Sequence, residues 1–415
     1  MRRTLLLVIL ATLETVRPSL AQNVVLDWNK IATSAIVTQG GKPSTTAAVW
    51  FAYTHIAVYD AVNAVDRRFK PFYFNGEAPD GASAEAAAIA AAHRVLVHYF
   101  PAQTAALDTH YQSSLANLSV DDDSKAKGVD IGEAAARTLI EARENDGLEA
   151  DVPYEPPDGP GFWQPTPPGF LRALTPWLGQ MRPFTMTSPS QFLPKGPTPL
   201  DSKRWVRDYE QVRLLGDVSS TVRTSEESEI GLFWTEHTAQ QYSRTFRTLA
   251  ADYDLDLDET ARMLAILYTG FADAGIGCWN GKYTYSFWRP VTAIRAGGGN
   301  PDLIADPSWT PLGTTPNHPE YPAAHGCVTG VVSQLIAGYF HTTQVHVVVD
   351  STVTGTTHVF EDTRDLFNEV FFARIFAGFH YRHSMIDGRS LGKEVAQQLL
   401  RHHFRRVRHE PSSEN

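Results

Sequence analysis

Apolar residues recur at three- and four-residue spacing along most of the chain, the signature of amphipathic helices packing one face inward. Residues 25–37 and 45–65 predict helices, the second long, with Phe51, His55, Tyr59 and Val62 on one side. The Ala-rich stretch 82–99 predicts a third helix, ended by Pro101, and 101–118 and 122–144 predict two more. Alanine content and the Glu141, Arg143 and Glu144 charges favour helix over strand here. The periodicity then stops. Residues 147–200 hold 13 of the 26 prolines. They also hold Phe162, Trp163, Phe170, Trp177, Phe184 and Phe192, aromatics that a solvated linker would not need, so this stretch is expected to be a covering loop. Helical spacing resumes at 203–215. After the capping box Thr224-x-x-Glu227 it runs from 226 to about 250, then over 259–274, 278–294, 322–340, 362–378 and 385–404. A short strand pair is expected within 345–359. No internal repeat and no βαβ alternation is present, so the predicted class is all-α.

Composition narrows the function classes. Of 415 residues, 43% are hydrophobic and 20% charged, as in a globular protein, and the net charge of −10 argues against nucleic-acid binding by bulk electrostatics. Arg2 and Arg3, an apolar run from Leu5 to Leu13 and then Ser19-Leu20-Ala21 fit a signal peptide over 1–21, which places the protein in the periplasm or outside the cell. An uncleaved anchor is the alternative, although the run is too short to span a bilayer. No later segment is long enough to do so. Cys278 and Cys327 are the only cysteines, so no multi-cysteine metal site can be built.

Against an acidic chain, clustered cations are informative. Lys282 and Arg289 stand seven residues apart, about two helical turns, which places both on one face of a helix that Pro290 ends. Two long cations on one face suit a tetrahedral oxyanion, or form a solvated basic stripe. Farther on, Pro322 suits the first position of a helix, which would leave the amides of Ala323, Ala324 and His325 as free donors for an anion. His325 would be an acid or base there, or only a packing residue. In Arg374-x3-Gly378-x-His380, Gly378 ends a helix and lets His380 turn back. Ser384 and Asp387 would open the last helix, with Asp387 a cap or an orienting partner rather than a catalytic acid.

Together these segments resemble the tripartite signature of the vanadium-dependent haloperoxidase and type 2 phosphatidic acid phosphatase superfamily. Its Lys-x6-Arg-Pro is complete at 282–290, and Ser/Ala-Arg-x3-Gly-x-His matches at 373–380. Pro-Ser-Gly-His departs, with Ala323 and Ala324 in place of Ser and Gly and with His325 kept. Trp279, Trp163-x-Pro-Thr-Pro-Pro and His55-x3-Tyr59-Asp60 extend the resemblance toward secreted bacterial haloperoxidases. It implies two four-helix-bundle units: an N-terminal bundle over 22–146, the proline-rich loop over 147–200, and a bundle over 201–408 carrying the site.

It further implies that Lys282, Arg289 and Arg374 neutralise vanadate oxygens, that the Ala323 and Ala324 amides donate to them, and that His380 binds the metal. His325 is the implied acid–base group, Trp279 and His318 line the pocket, and Asp387 supports it from behind. Hydrogen peroxide, halide and a small organic acceptor are the implied partners. His318 stands where relatives that oxidise bromide tend to carry His. With phosphate in place of vanadate, the same pocket implies phosphomonoester hydrolysis, His380 attacking phosphorus and His325 protonating the leaving group. Loss of the motif's Ser and Gly leaves an inactive oxyanion-binding relative as a third alternative. If both motifs surround one anion, Cys278 and Cys327 start from neighbouring walls and are candidates for one disulfide, or serve as small buried apolar groups.

Overall fold

A computed structural model describes residues 23–407, so the expected signal segment at 1–21 lies outside the described residues. The first helices are α1 (Val24–Thr33), α2 (Ala47–Asp66), α3 (Ala84–Tyr99), α4 (Thr104–Ala116) and α5 (Asp122–Ala142). Then come α6 (Lys203–Leu215), α7 (Ser225–Phe233), α8 (Thr238–Asp252), α9 (Leu257–Tyr285), α10 (Pro290–Arg295) and α11 (Ala324–Phe340). The hairpin of β1 (Val347–Asp350) and β2 (Thr357–Phe360) follows, antiparallel with Val347 opposite Phe360, and α12 (Thr363–Phe376) and α13 (Arg382–His402) complete the chain. The all-α class and the short hairpin expected from the sequence are both present.

Several expected helix boundaries differ, two of them in the middle of the chain. The predicted helix over 226–250 is two helices, α7 and α8. The Thr224–Glu227 capping box opens α7, and His237 caps α8 by accepting from the Gln240 amide. The interruption withdraws the Trp234 carbonyl from the helical ladder and gives it to Arg374. Conversely, α9 runs unbroken where a gap at 275–277 was expected. Burial along nearly its whole length outweighs the weak helix preference of Gly275 and Gly277.

The core is continuous from Val24 to Phe404. Its axis is α9, which packs against α2 on one side and α11 on the other. α11 and α13 approach closely because a Cβ at Gly392 would stand 2.4 Å from the Cys327 carbonyl, so only glycine fits there. A second, aromatic cluster of Trp205, Tyr209, Phe287, Trp288, Trp309 and Tyr381 backs the site. The proline-rich segment lies over α9: the amides of Phe184 and Thr185 donate to buried Asp273, and the Leu174 carbonyl accepts from Tyr283 Oη at 2.6 Å. Trp163, Trp177 and Phe184 are buried by it, while Phe170 and Leu171 remain exposed.

The His55-x3-Tyr59-Asp60 pattern is architectural. His55 stacks on Tyr268 and contacts Asn29, Tyr59 Oη donates to the Lys70 carbonyl, and Asp60 accepts the amides of Phe72, Tyr73 and Phe74.

Candidate functional site

Lys282 and Arg289 do not share a helix face. Ser286, in the left-handed region at φ 50°, ends α9, and Arg289 sits in extended backbone as the residue before α10, whose first position is Pro290. Proline therefore starts a helix here instead of ending one. The turn brings both cations to one buried place from two directions. Lys282 directs Nζ to the carbonyls of Pro319, Glu320 and Pro322 at 2.9, 2.9 and 2.6 Å. An ammonium has three donors, so Lys282 pins the loop that carries the second motif. Desolvation lowers it to about 8.

Arg289 donates through Nε to the His318 carbonyl at 2.8 Å and through Nη1 to the Phe379 carbonyl at 3.1 Å. Its Nη1 also lies 3.3 Å from His380 Nε2, and Nη2 stands 3.1 and 3.3 Å from the two ring nitrogens of His318. His318 is held between this guanidinium and Trp279, whose ring centroid is 4.8 Å away. Burial lowers Arg289 to about 10, and burial together with Arg289 lowers Arg374 to about 9. Both stay cationic at neutral pH, under-solvated and suited to an anion.

The helix of the second motif begins two residues later than Pro322 suggests. Ala323 is the N-cap of α11 and Ala324 its first residue. The Ala323 amide donates to the Ser384 carbonyl at 3.2 Å, which corrects its expected role as an anion donor. Ala324 and His325 hold the first two helical positions, where backbone N–H groups have no partner within the helix. His325 Nε2 lies 3.3 Å from Thr238 Oγ1.

The third motif folds as expected. α12 ends at Phe376, and Gly378 at φ 76° turns the chain so that His380 faces back toward Arg374 and Arg289. Arg374 donates from Nη1 to the Trp234 carbonyl at 2.6 Å, and its Nε is buried without a partner. Asp387 does not touch His380. It accepts from Tyr321 Oη at 2.6 Å, and since α13 already starts at Arg382 after Tyr381, neither Ser384 nor Asp387 caps it. The group beside His380 is Glu320, wholly buried, with Oε1 at 2.7 Å from His380 Nδ1. Glu320 Oε1 also accepts from the Tyr381 amide at 3.1 Å, and Oε2 from Ser384 Oγ at 3.0 Å.

Cys278 and Cys327 are neighbours but free thiols, which corrects the disulfide expectation. Cys278 Sγ instead faces the Pro322 carbonyl at 3.6 Å, and the pair serves as buried apolar filling behind Lys282.

A cavity of about 230 Å³ opens where the three motifs meet, and Trp279, His318, Ala324, His325, Arg374 and His380 face it. Lys282 and Arg289 stand behind this wall. Burial, reinforced by the neighbouring cations, pushes His318, His325 and His380 well below the usual histidine range, so all three are neutral at pH 7. Sequence reasoning missed Glu320, which stands two residues before the Pro322 of the second motif, and missed Trp234 and Thr238. Only the acidic residue two places after His318 offered a signal. Among the described residues no group of three or more His, Cys, Asp or Glu could hold a metal cation. The donor set fits an oxyanion.

Residues 262–409 match the family model of the VCPO second helical-bundle domain. The vanadium chloroperoxidase of Curvularia inaequalis is 28% identical over 30% of this chain, a match that spans only 24% of that protein's length. The fold is that of the bacterial vanadium-dependent iodoperoxidase, with a TM-score of 0.78 at 22% identity over 92% of this chain and 97% of that one. The holo form of a bacterial vanadium-dependent chloroperoxidase superposes with a TM-score of 0.70 at 18% identity, over 92% and 93% of the two chains.

Proposed function

We propose that this chain, which belongs to the vanadium-dependent haloperoxidase superfamily, oxidises halide with hydrogen peroxide at a vanadate held by His380. The observation that carries the reading is a neutral histidine in the wall of a cavity that Arg374 also lines, with its Nε2 3.3 Å from the buried Arg289 guanidinium. A vanadate fits the residues present. Arg374 has an unpartnered buried Nε, α11 begins with free amides at Ala324 and His325, and the buried cations Lys282 and Arg289 stand behind the cavity wall. Loss of the motif's Ser removes a hydroxyl donor, but amide donors survive substitution by alanine.

When bound, vanadate supplies a Lewis-acid centre at which hydrogen peroxide becomes electrophilic toward halide. The residues of the chain hold and protonate. His380 would hold the metal, Arg374 would donate to the oxyanion, and Arg289 and Lys282 would add positive potential from behind. His325, beside Thr238 Oγ1 in the cavity wall, would serve as the base and acid that takes up and returns a proton there. Aromatic side chains of Trp234, Phe271, Trp279 and Phe379 line the cavity beside these polar groups. Bromide is the favoured halide, on the ground of His318 in the pocket wall, and a small organic acceptor takes the oxidised halogen. Residues 1–21 would export the protein.

A second reading rests on the same two histidines. With a phosphomonoester in the cavity, His380 Nε2 would attack phosphorus and His325 would protonate the leaving oxygen. Parallel assays of vanadate-dependent bromination and of phosphomonoesterase activity on the purified chain separate the two.

A further inference from the structure

The ring of His380 is gripped from both ends by groups of opposite character. Nδ1 lies 2.7 Å from Glu320 Oε1, and Nε2 lies 3.3 Å from Arg289 Nη1. A carboxylate can only accept and a guanidinium can only donate, so the proton of a neutral imidazole must sit on Nδ1 and the lone pair on Nε2. Glu320 is itself immobilised. The Tyr381 amide and Ser384 Oγ donate to it, its own amide donates to the Phe287 carbonyl at 2.8 Å, and Lys282 fixes its carbonyl. None of the three motifs assigns this residue a role. A fully buried carboxylate in contact with no guanidinium or ammonium side chain is costly unless it is hydrogen-bonded, and this one is held by His380 Nδ1, the Tyr381 amide and Ser384 Oγ, from the turn bearing His380 and the start of α13.

We infer that Glu320 is the positioning residue of the site, fixing the tautomer and the ring plane of His380 so that Nε2 presents a lone pair to the cavity before any oxyanion arrives. Because His380 is taken as the vanadate-holding group, the inference deepens the proposed function and rests on that reading for its consequence, though not for the tautomer itself. A carboxylate behind a ligating imidazole also raises its donor strength, so the residue sets how tightly the metal is held. Ser384 completes the arrangement by occupying the carboxylate oxygen that His380 does not use.

The test uses the full chain labelled with ¹⁵N-histidine, without added anion. In the parent protein His380 should show a protonated Nδ1 and an unprotonated Nε2. Glu320→Ala should yield a tautomer mixture, and its orthovanadate affinity by calorimetry should fall by roughly 10- to 100-fold, the range found when a partner behind a metal-ligating histidine is removed. Glu320→Gln keeps an acceptor oxygen and should retain the tautomer with an intermediate affinity. It also serves where the alanine variant does not fold.

A proton on Nε2 in the parent protein would overturn the inference, as would an unchanged tautomer in Glu320→Ala or a folded Glu320→Gln that behaves like the alanine variant. Expected spectra in a protein that binds orthovanadate but never oxidises halide would support the inference while sinking the haloperoxidase reading.

Discussion

Arg374 and Trp234 are joined by one hydrogen bond of 2.6 Å, from Nη1 to the main-chain carbonyl, and this bond leaves Arg374 Nε facing no acceptor. The break between α7 and α8 makes the carbonyl available, so a fault in one helix aims the cation of another. Arg374→Gln should weaken sulfate binding by roughly 2 to 4 kcal/mol, the scale for losing one desolvated charge partner. Isothermal titration with sulfate measures it, and an unchanged affinity would remove Arg374 from the cage.

Lys282 is the first of the three site cations to lose its charge as the pH rises. Its ammonium stands at about 8 in the free protein, below its ordinary value, because burial penalises the charge. Below that pH the charge is already in place. Above it, binding an anion must take up a proton, so affinity should fall by up to about tenfold per pH unit. Sulfate is the suitable probe because its own charge is constant across this range. A profile flat from pH 7 to 9, below the range where Arg374 and Arg289 lose charge as well, would place Lys282 outside the electrostatic reach of the anion.

Much of this was legible in the chain because helical periodicity and motif spacing are local signals. The third motif shows this well: Gly378 ends α12 and His380 turns back as the spacing suggests. The first motif shows the limit. A seven-residue spacing places two side chains on one face only if the helix continues, and Ser286 in the left-handed region stops it. Proline at 322 and at 290 fits either side of a helix start, so pattern alone shifted one boundary and reversed the other. Glu320 was hidden because its partner is 60 residues away and nothing periodic links them. The Cys278 and Cys327 pairing failed for another reason. Proximity was inferred correctly, but neighbouring thiols can be apolar filling as readily as a bond.

His318 lies between the Arg289 guanidinium and the Trp279 ring. His318→Phe removes the ring nitrogens that face Arg289 while keeping a planar group against Trp279. The ratio of bromide to chloride oxidation should change in this variant. Competition assays with both halides measure it, and an unaltered ratio would make His318 a packing residue only.

Asp60 offers a test of the fold apart from the site. It accepts three consecutive amides, from Phe72 to Phe74, and is buried. Asp60→Ala should leave those donors unsatisfied and cost roughly 3 kcal/mol or more of stability, seen as a lower denaturation midpoint. Sulfate affinity should be unchanged at temperatures where the variant remains folded, because Asp60 does not line the site cavity. A midpoint equal to that of the parent protein would contradict the structural role given to the His55-x3-Tyr59-Asp60 pattern.

The central claim is that His380 holds a vanadate that makes peroxide reactive toward halide. Its most direct test is peroxide-dependent bromination by the purified chain, with and without orthovanadate, beside the His380→Ala variant. The expected result is bromination that requires vanadate, is inhibited by phosphate competing for the same cage, and disappears in the variant. Full activity in His380→Ala, or robust phosphomonoesterase activity with no halide oxidation at any vanadate concentration, would contradict the account.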